Sequence, residues 1–238
     1  MRLPRISRVA FLAAVAVAVT ACKNSPTGPD YDPLIDPADF VAAVTNPFFP
    51  LVPGTTYTFE GQTDEGTETV VVDVLHETKV VMGITATVVR DRVFVDGELI
   101  EDTFDWFAQD NEGNVWYLGE DSKEIENGVV VSTEGSWEAG VDGAKPGIIM
   151  WGDPAAHLGE EYRQEFFEGE AEDWGKVVAL GQSVEVPHGS FTGCIKTEDW
   201  SGLEPGSLEN KYYCPGIGVT LEVKVGGGER VELIDVNP

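Results

Sequence analysis

From Thr55 to the C-terminus the chain alternates apolar and polar residues at the period of a β-strand, and turn-forming pairs interrupt the alternation every few residues. Residues 57–60 and 68–75 read as strands on either side of a polar turn at 61–66. Residues 84–95 and 99–108 flank Asp96-Gly97, a pair that supplies the two left-handed positions of a tight hairpin. Within 99–108, Ile100, Phe104, Trp106 and Ala108 alternate with Glu101, Thr103 and Asp105, which predicts one apolar face. A turn at 110–113 leads into a strand at 114–118, and Asn127-Gly128 joins 122–126 to 129–133 as a second hairpin. Residues 136–158 carry Gly140, Gly143, Pro146, Gly147, Gly152 and Pro154 and read as loop-rich. Strands resume at 162–167, 176–180 and 183–186. Val219, Leu221, Val223 and Val225 alternate with Thr220, Glu222 and Lys224, and three glycines at 226–228 turn the chain into a last strand at 230–236. Roughly a dozen short strands with local turns and no long helix predict an all-β fold, a single antiparallel meander curled into a half-barrel or open barrel. One short N-terminal helix is predicted, capped by Asp36, with Pro37 at its first position, Phe40, Val41 and Val44 on one side and Pro47 as its stop. The proline-stiffened stretch 46–54 then reads as a lid or plug over one edge of the core.

Upstream of this domain the pattern changes twice. Arg2, Arg5 and Arg8 precede an unbroken run of Val, Ala, Leu and Phe from Val9 to Val19, too short to span a bilayer and ending in small residues, as a secretory signal does. The cysteine directly after Val19-Thr20-Ala21 resembles the lipobox of bacterial lipoproteins, in which the thiol is diacylated before cleavage; this implies that Cys22 is the lipidated first residue of the mature chain. Residues 23–30 are polar and proline-bearing. The expected organisation is a signal peptide at 1–21, a tether at 22–35 and one β domain at 36–238. The expected location is the cell envelope, at the outer membrane where there is one, since Lys23 rather than Asp follows the cysteine.

Charge narrows the partners. The chain has 42 Asp and Glu against 15 Lys and Arg, a formal net charge of −27, and loss of the three signal arginines takes it to −30. Such a surface repels nucleic acid and anionic headgroups and favours cations, cationic partners or plain solubility; adaptation to high salt gives the same composition. The acids are spread along the chain, as on a solvated folded surface rather than a disordered arm.

The run Val184-Glu185-Val186-Pro187-His188-Gly189-Ser190-Phe191, followed by Lys211-Tyr212-Tyr213-Cys214-Pro215-Gly216-Ile217-Gly218, resembles a signature of uncharacterised bacterial envelope lipoproteins. Residues 105–110 and 162–165 are similar to further segments of such proteins, and the resemblance spans most of 46–236. It implies an envelope lipoprotein with a curled antiparallel sheet, similar to half-barrel lipoprotein carriers, and no activity or catalytic residue.

Candidate chemistry is sparse. His76, His157 and His188 have no partner at zinc-helix spacing and no serine elbow, and no phosphate or dinucleotide loop is present. Cys194 and Cys214 flank a hairpin of 190–200 and 207–214; a loop centred on Glu204 sets them directly opposite each other, which predicts a disulfide in an exported chain. A metal-binding thiol pair is the lesser alternative, since no third ligand is evident. Glu165, Glu168, Glu170, Glu172 and Asp173 crowd one turn, a composition that suits Ca²⁺ but lacks the spacing of a calcium loop and arises by chance in so acidic a chain. The six tryptophans fit strand packing, except Trp137 and Trp151, which lie in or beside the loop-rich stretch and are candidates for a ligand-binding face. The expectation is a non-enzymatic protein, anchored to the membrane through lipid on Cys22, that binds a hydrophobic ligand, a glycan or an envelope protein on its curved sheet. The alternatives are a carboxylate-dependent glycan hydrolase and a weak divalent-cation-binding surface protein.

Overall fold

The computed structural model describes residues 31–63 and 65–238. Cys22, the signal peptide and tether residues 22–30 lie outside the described residues. In chain order the strands are β1 (Phe40–Val41), β2 (Thr56–Thr63), β3 (Gly66–Val81), β4 (Ile84–Val95), β5 (Glu98–Asp110), β6 (Val115–Asp121), β7 (Glu124–Glu126), β8 (Val129–Ser132) and β9 (Trp137–Glu138). They continue with β10 (Lys145–Met150), β11 (Glu161–Arg163), β12 (Glu165–Phe166), β13 (Asp173–Val186), β14 (Gly189–Ser201), β15 (Glu209–Cys214), β16 (Gly218–Lys224) and β17 (Arg230–Asn237). All belong to one antiparallel sheet.

Local turns drive this meander. At the β4–β5 hairpin Asp96 and Gly97 have φ of 49° and 83°, and at the β7–β8 hairpin Asn127 and Gly128 have 53° and 76°. Both pairs have the primed-turn geometry that matches strand twist. The last strand returns to the first long one, β17 pairing with β2 from Arg230 opposite Gln62 to Asn237 opposite Thr56. On the other side β5 leads through β6 to β10, and the sheet nearly closes into a barrel with an unsealed seam. The ring is thinnest between β10 and β13, where β12 gives β10 only the pairs Lys145–Phe166 and Pro146–Glu165. Gly147 allows the crossing, because a Cβ there would lie 2.3 Å from the carbonyl carbon of Gln164.

Three expectations are corrected. The predicted helix is a single 3₁₀ turn, Pro37–Asp39; Asp36 caps it through Ala38 N as expected, but Phe40 and Val41 leave it to pair with Asp110 and Gln109 of β5. The stretch 136–158, read as loop-rich, holds β9 and β10, and β10 is the strand that links β6 to the far wall. Its Gly147 serves a close crossing, a role that composition does not distinguish from looping. Residues 31–35, assigned to the tether, rest on the barrel: the Tyr31 hydroxyl donates to Pro146 O at 2.7 Å, its ring meets Phe166 edge-on, and Asp32 pairs with Lys145.

The stretch 46–54 plugs one end. Asn46, 2% exposed, donates through Nδ2 to Gly113 O (2.8 Å) and Trp151 O (3.0 Å), and its Oδ1 accepts from Phe48 N (2.8 Å). Gly216 N donates to Pro47 O, and Phe49 packs edge-on against Phe107 at 5.2 Å. β14 and β15 pair in the expected register, and Cys194 and Cys214 form a disulfide with Cα atoms 4.1 Å apart. Both cysteines are fully buried.

Replacing both cysteines by alanine releases a loop of 20 residues' separation and is expected to lower stability by about 3 kcal/mol, read as an earlier denaturant midpoint. Asn46→Ala strands two half-buried carbonyls and one half-buried N–H and is expected to cost about 2 kcal/mol by the same measurement. An unchanged midpoint for either variant contradicts its assigned role.

Candidate functional site

The barrel holds an open-mouthed cavity of about 820 Å³. Its floor is the plug, where Phe49, Pro50 and Leu51 meet Tyr57, Val74, Val89, Phe107 and Tyr213. Its mouth lies at the β2–β3 and β16–β17 turns, near Glu65, Glu68, Lys224 and Glu229. Strand alternation explains the lining: Val74, Val72, Val70 and Glu68 of β3 share one face, as do Val89, Asp91 and Val93 of β4, and both sets point inward. The interior is apolar at the floor and acidic from the middle to the mouth, with eleven carboxylate side chains and two lysines.

At mid-depth the Tyr117 hydroxyl lies 2.6 Å from Asp105 Oδ1 and 2.5 Å from Glu120 Oε2. A phenol has one proton, so it donates to one carboxylate, and the other must itself be protonated to complete both bonds. Burial, reinforced by Glu120, pushes Asp105 up to about 8; burial likewise pushes Glu120 up to about 7, against the Tyr117 hydrogen bond. Asp91, buried and facing Asp105, Glu101 and Glu222, is held well above the usual carboxylate range by desolvation first and those charges second, with Lys211 opposing. Its Oδ1 has no hydrogen-bond partner.

Lys211 projects inward from β15, its Nζ 4.0 Å from both Asp199 Oδ2 and Glu222 Oε2. Glu222 above all keeps its ammonium charged, outweighing burial. Its exposed surface faces the cavity rather than bulk solvent, which is why a deeply enclosed side chain retains 29% accessibility. Glu165 and Asp173 line the wall by the seam, both raised mainly by burial; Glu165 Oε2 accepts the Trp137 Nε1 hydrogen at 2.8 Å.

The structure splits the acidic turn. Glu165 and Asp173 face the cavity, Glu172 turns to Gly169 N and, at 3.6 Å, to Arg163, and Glu168 and Glu170 are exposed. Among the described residues no three His, Cys, Asp or Glu side chains form a metal-sized group. Neither candidate tryptophan lines the cavity or presents an open face. Trp137 is 4% exposed, lies in β9 and packs edge-on to Tyr117 at 5.3 Å. Trp151 stacks on His157 at 3.8 Å and meets Tyr162 edge-on, half-buried outside the barrel. Both follow glycine-rich sequence but belong to a strand and a satellite cluster, so loop position did not mean exposure.

The cavity residues Asp91, Asp105, Glu120, Lys211 and Glu222 were missed. A signal existed: Asp91 is in phase with Val89 and Val93, and Lys211 with Tyr213, so each puts a charge on an apolar phase. In β5 the polar phase faces the cavity: Glu101, Asp105 and Phe107 line it, with Ile100 beside them at a register shift, while Phe104 packs under Arg90 and Lys123 and Trp106 under Lys79, 3.2 Å above its ring.

No protein-family model matches the chain, and comparison with curated proteins gives no match. Among solved structures the chain is similar to a presumed lipoprotein from Parabacteroides distasonis ATCC 8503, with a TM-score of 0.44 and 11% identity over 81% of this chain and 99% of that one. No helix among the described residues is long and apolar enough to cross a membrane.

Because Asp105 and Glu120 have folded pKa values raised above their unfolded ones, the folded state holds more protons between about pH 4 and 8, and stability must fall as pH rises through that window. The loss is on the order of a few kcal/mol. Melting temperatures are expected to decline from pH 5 to pH 8.5, and an Asp105→Asn, Glu120→Gln double variant to flatten the decline. Equal slopes in the variant and the parent would refute the assignment.

Proposed function

We propose that the protein is exported, anchored to the cell envelope through lipid on Cys22, and serves as a non-enzymatic carrier or receptor that takes a small, partly apolar ligand into its barrel. One observation carries the reading: an open-mouthed cavity of about 820 Å³ with an apolar floor and a polar belt, within the range of about 300–1,000 Å³ typical of small-molecule sites. The lipobox at Cys22 and the signature from Val184 to Gly218 support the envelope location. Binding inside the barrel replaces the surface aromatic patch expected from Trp137 and Trp151.

Glycan hydrolysis is the second reading, since Asp105 and Glu120 are a carboxyl pair with raised pKa values. Their geometry weighs against it. Both oxygens bond the same phenol at 2.6 and 2.5 Å, so the pair faces Tyr117 and shares its proton. The catalytic carboxyls of a glycosidase instead flank the scissile bond.

Native mass spectrometry of protein extracted from its own membrane is expected to find diacylated Cys22 and a co-purifying small molecule. Val72→Trp, which crowds the cavity at mid-depth, is expected to weaken retention of that molecule and keep the lipid. An unmodified Cys22 contradicts the anchor. A ligand retained undiminished by Val72→Trp contradicts binding within the barrel.

A further inference from the structure

We infer that the thin wall between β10 and β12 is a proton-operated latch: protons held among Asp105, Glu120, Glu165 and Asp173 keep it closed, and their loss lets it part. This rests on the reading of the barrel as a ligand carrier for what the opening serves, and it names how that site is regulated.

The four carboxyls border the cavity on the two sides of this wall. Asp105 of β5 and Glu120 of β6 are cross-strand partners on one side, and Glu165 of β12 and Asp173 of β13 lie on the other. One chain of contacts joins the sides. The Tyr117 hydroxyl bonds both Asp105 and Glu120, its ring meets Trp137 edge-on at 5.3 Å, and the Trp137 indole N–H donates to Glu165 at 2.8 Å. Tyr117 is also the cross-strand partner of Gly147, the residue whose missing side chain lets β10 pass against Gln164. The network therefore backs the two backbone pairs by which β12 holds β10, and Glu165 is itself half of one of them. Elsewhere the walls are long ladders, with eleven pairs each in β3–β4 and β13–β14.

The charges around the network favour parting once its protons are gone. Asp105 faces Glu120, Glu101 of its own strand and Asp91 of β4; Glu120 faces Glu101 and Asp173; Glu165 faces Asp173, Glu120 and Asp105. Asp173 bonds Ser201 and faces Asp199 of β14, Glu204 beyond it and Lys211 of β15, whose ammonium stands between Asp199 and Glu222. The basic residues of the wall are engaged elsewhere, Lys145 with Asp32 and Arg163 with Glu172 and the Trp174 ring. Burial above all holds the four carboxyls above their usual range, Asp105 at about 8 and Glu120 at about 7. A phenol donates one proton, so one of Asp105 and Glu120 must keep its own for both short bonds to exist. When both ionise, one bond is lost and two charges face Glu165 and Asp173 across a wall of two pairs. Parting admits water, which stabilises the ionised forms. The closed wall thus holds more protons than the open one; its advantage is full below about pH 4 and is lost as pH rises through the raised values. Each pH unit over which it holds one extra proton raises the opening constant about tenfold.

Native-state amide exchange of the full chain in nanodiscs, at about pH 6 and pH 8.5 and corrected for the intrinsic pH dependence of exchange, reads the wall strand by strand. Protection in β10 and β12 is expected to fall at least tenfold between the two, while that of β3 and β4 stays constant. Asn and Gln offer an N–H where the protonated acids offer an O–H, so the Asp105→Asn, Glu120→Gln variant imitates the closed pattern at every pH. It is expected to lose no protection in β10 at pH 8.5, and parental protection in β3 and β4 reports that it is folded. A fall spread equally over β3, β4 and β10 is global destabilisation and overturns the latch. Constant protection of β10 from pH 6 to 8.5 overturns it too, as does an undiminished fall in the double variant. Where the double variant does not fold, the contrast between β10 and β4 in the parent decides alone. All these outcomes leave the carrier reading to the co-purification and Val72→Trp measurements.

Discussion

Confinement of like charge is the condition to which the rest of the molecule answers. Eleven carboxylate side chains border one cavity with two lysines, and burial strengthens every repulsion among them. The chain resolves the conflict in three ways. Protons are retained on Asp105 and Glu120, the Tyr117 hydroxyl is shared between that pair, and Lys211 stands between Asp199 and Glu222. Each is a partial solution. None supplies a donor to Asp91 Oδ1, which is buried without a hydrogen-bond partner.

The closed end is built on the opposite logic, with polar groups satisfied to excess. Asn46 makes three hydrogen bonds to backbone groups, and Asp110 accepts from Glu112 N, Asn114 N, Asn114 Nδ2 and Trp116 Nε1. Asn114 in turn accepts from Gly152 N. These bonds tie the plug to the β5–β6 turn and to the end of β10. The floor is thus firmly tied down, whereas the interior above it is polar and under-satisfied.

Much of the fold was legible because its signals are local. Asp96-Gly97 and Asn127-Gly128 form the expected hairpins, 84–95 is a strand to the residue, and the register that pairs Cys194 with Cys214 followed from the centre of one loop. Local signals failed where a strand is held by distant partners. β10 looked like loop because Pro146 and Gly147 lie within it, yet its hydrogen bonds go to β6 and β12. The candidate site was illegible for a related reason. An apolar phase ordinarily faces the core, but here part of the core is a cavity that accepts charge, so the polar phase of β5 points inward. The aromatic residues chosen by their loop position pack instead as support, Trp137 behind Glu165 and Trp151 against His157.

The docking of Tyr31 bears on mechanics. The described chain enters the barrel not at an end but across its thinnest wall, where Tyr31 bonds Pro146 O and packs on Phe166, and Asp32 pairs with Lys145. These are the residues of the two-pair ladder between β10 and β12. Tension arriving along the N-terminal segment, as from a domain held at a surface and dragged by flow, is delivered to that ladder, while the long ladders of β3, β4, β13 and β14 carry little of it. Two rungs peel at far lower force than the eleven of β3–β4 or β13–β14, so the wall would part there first and a pull on that segment would open the cavity from its side.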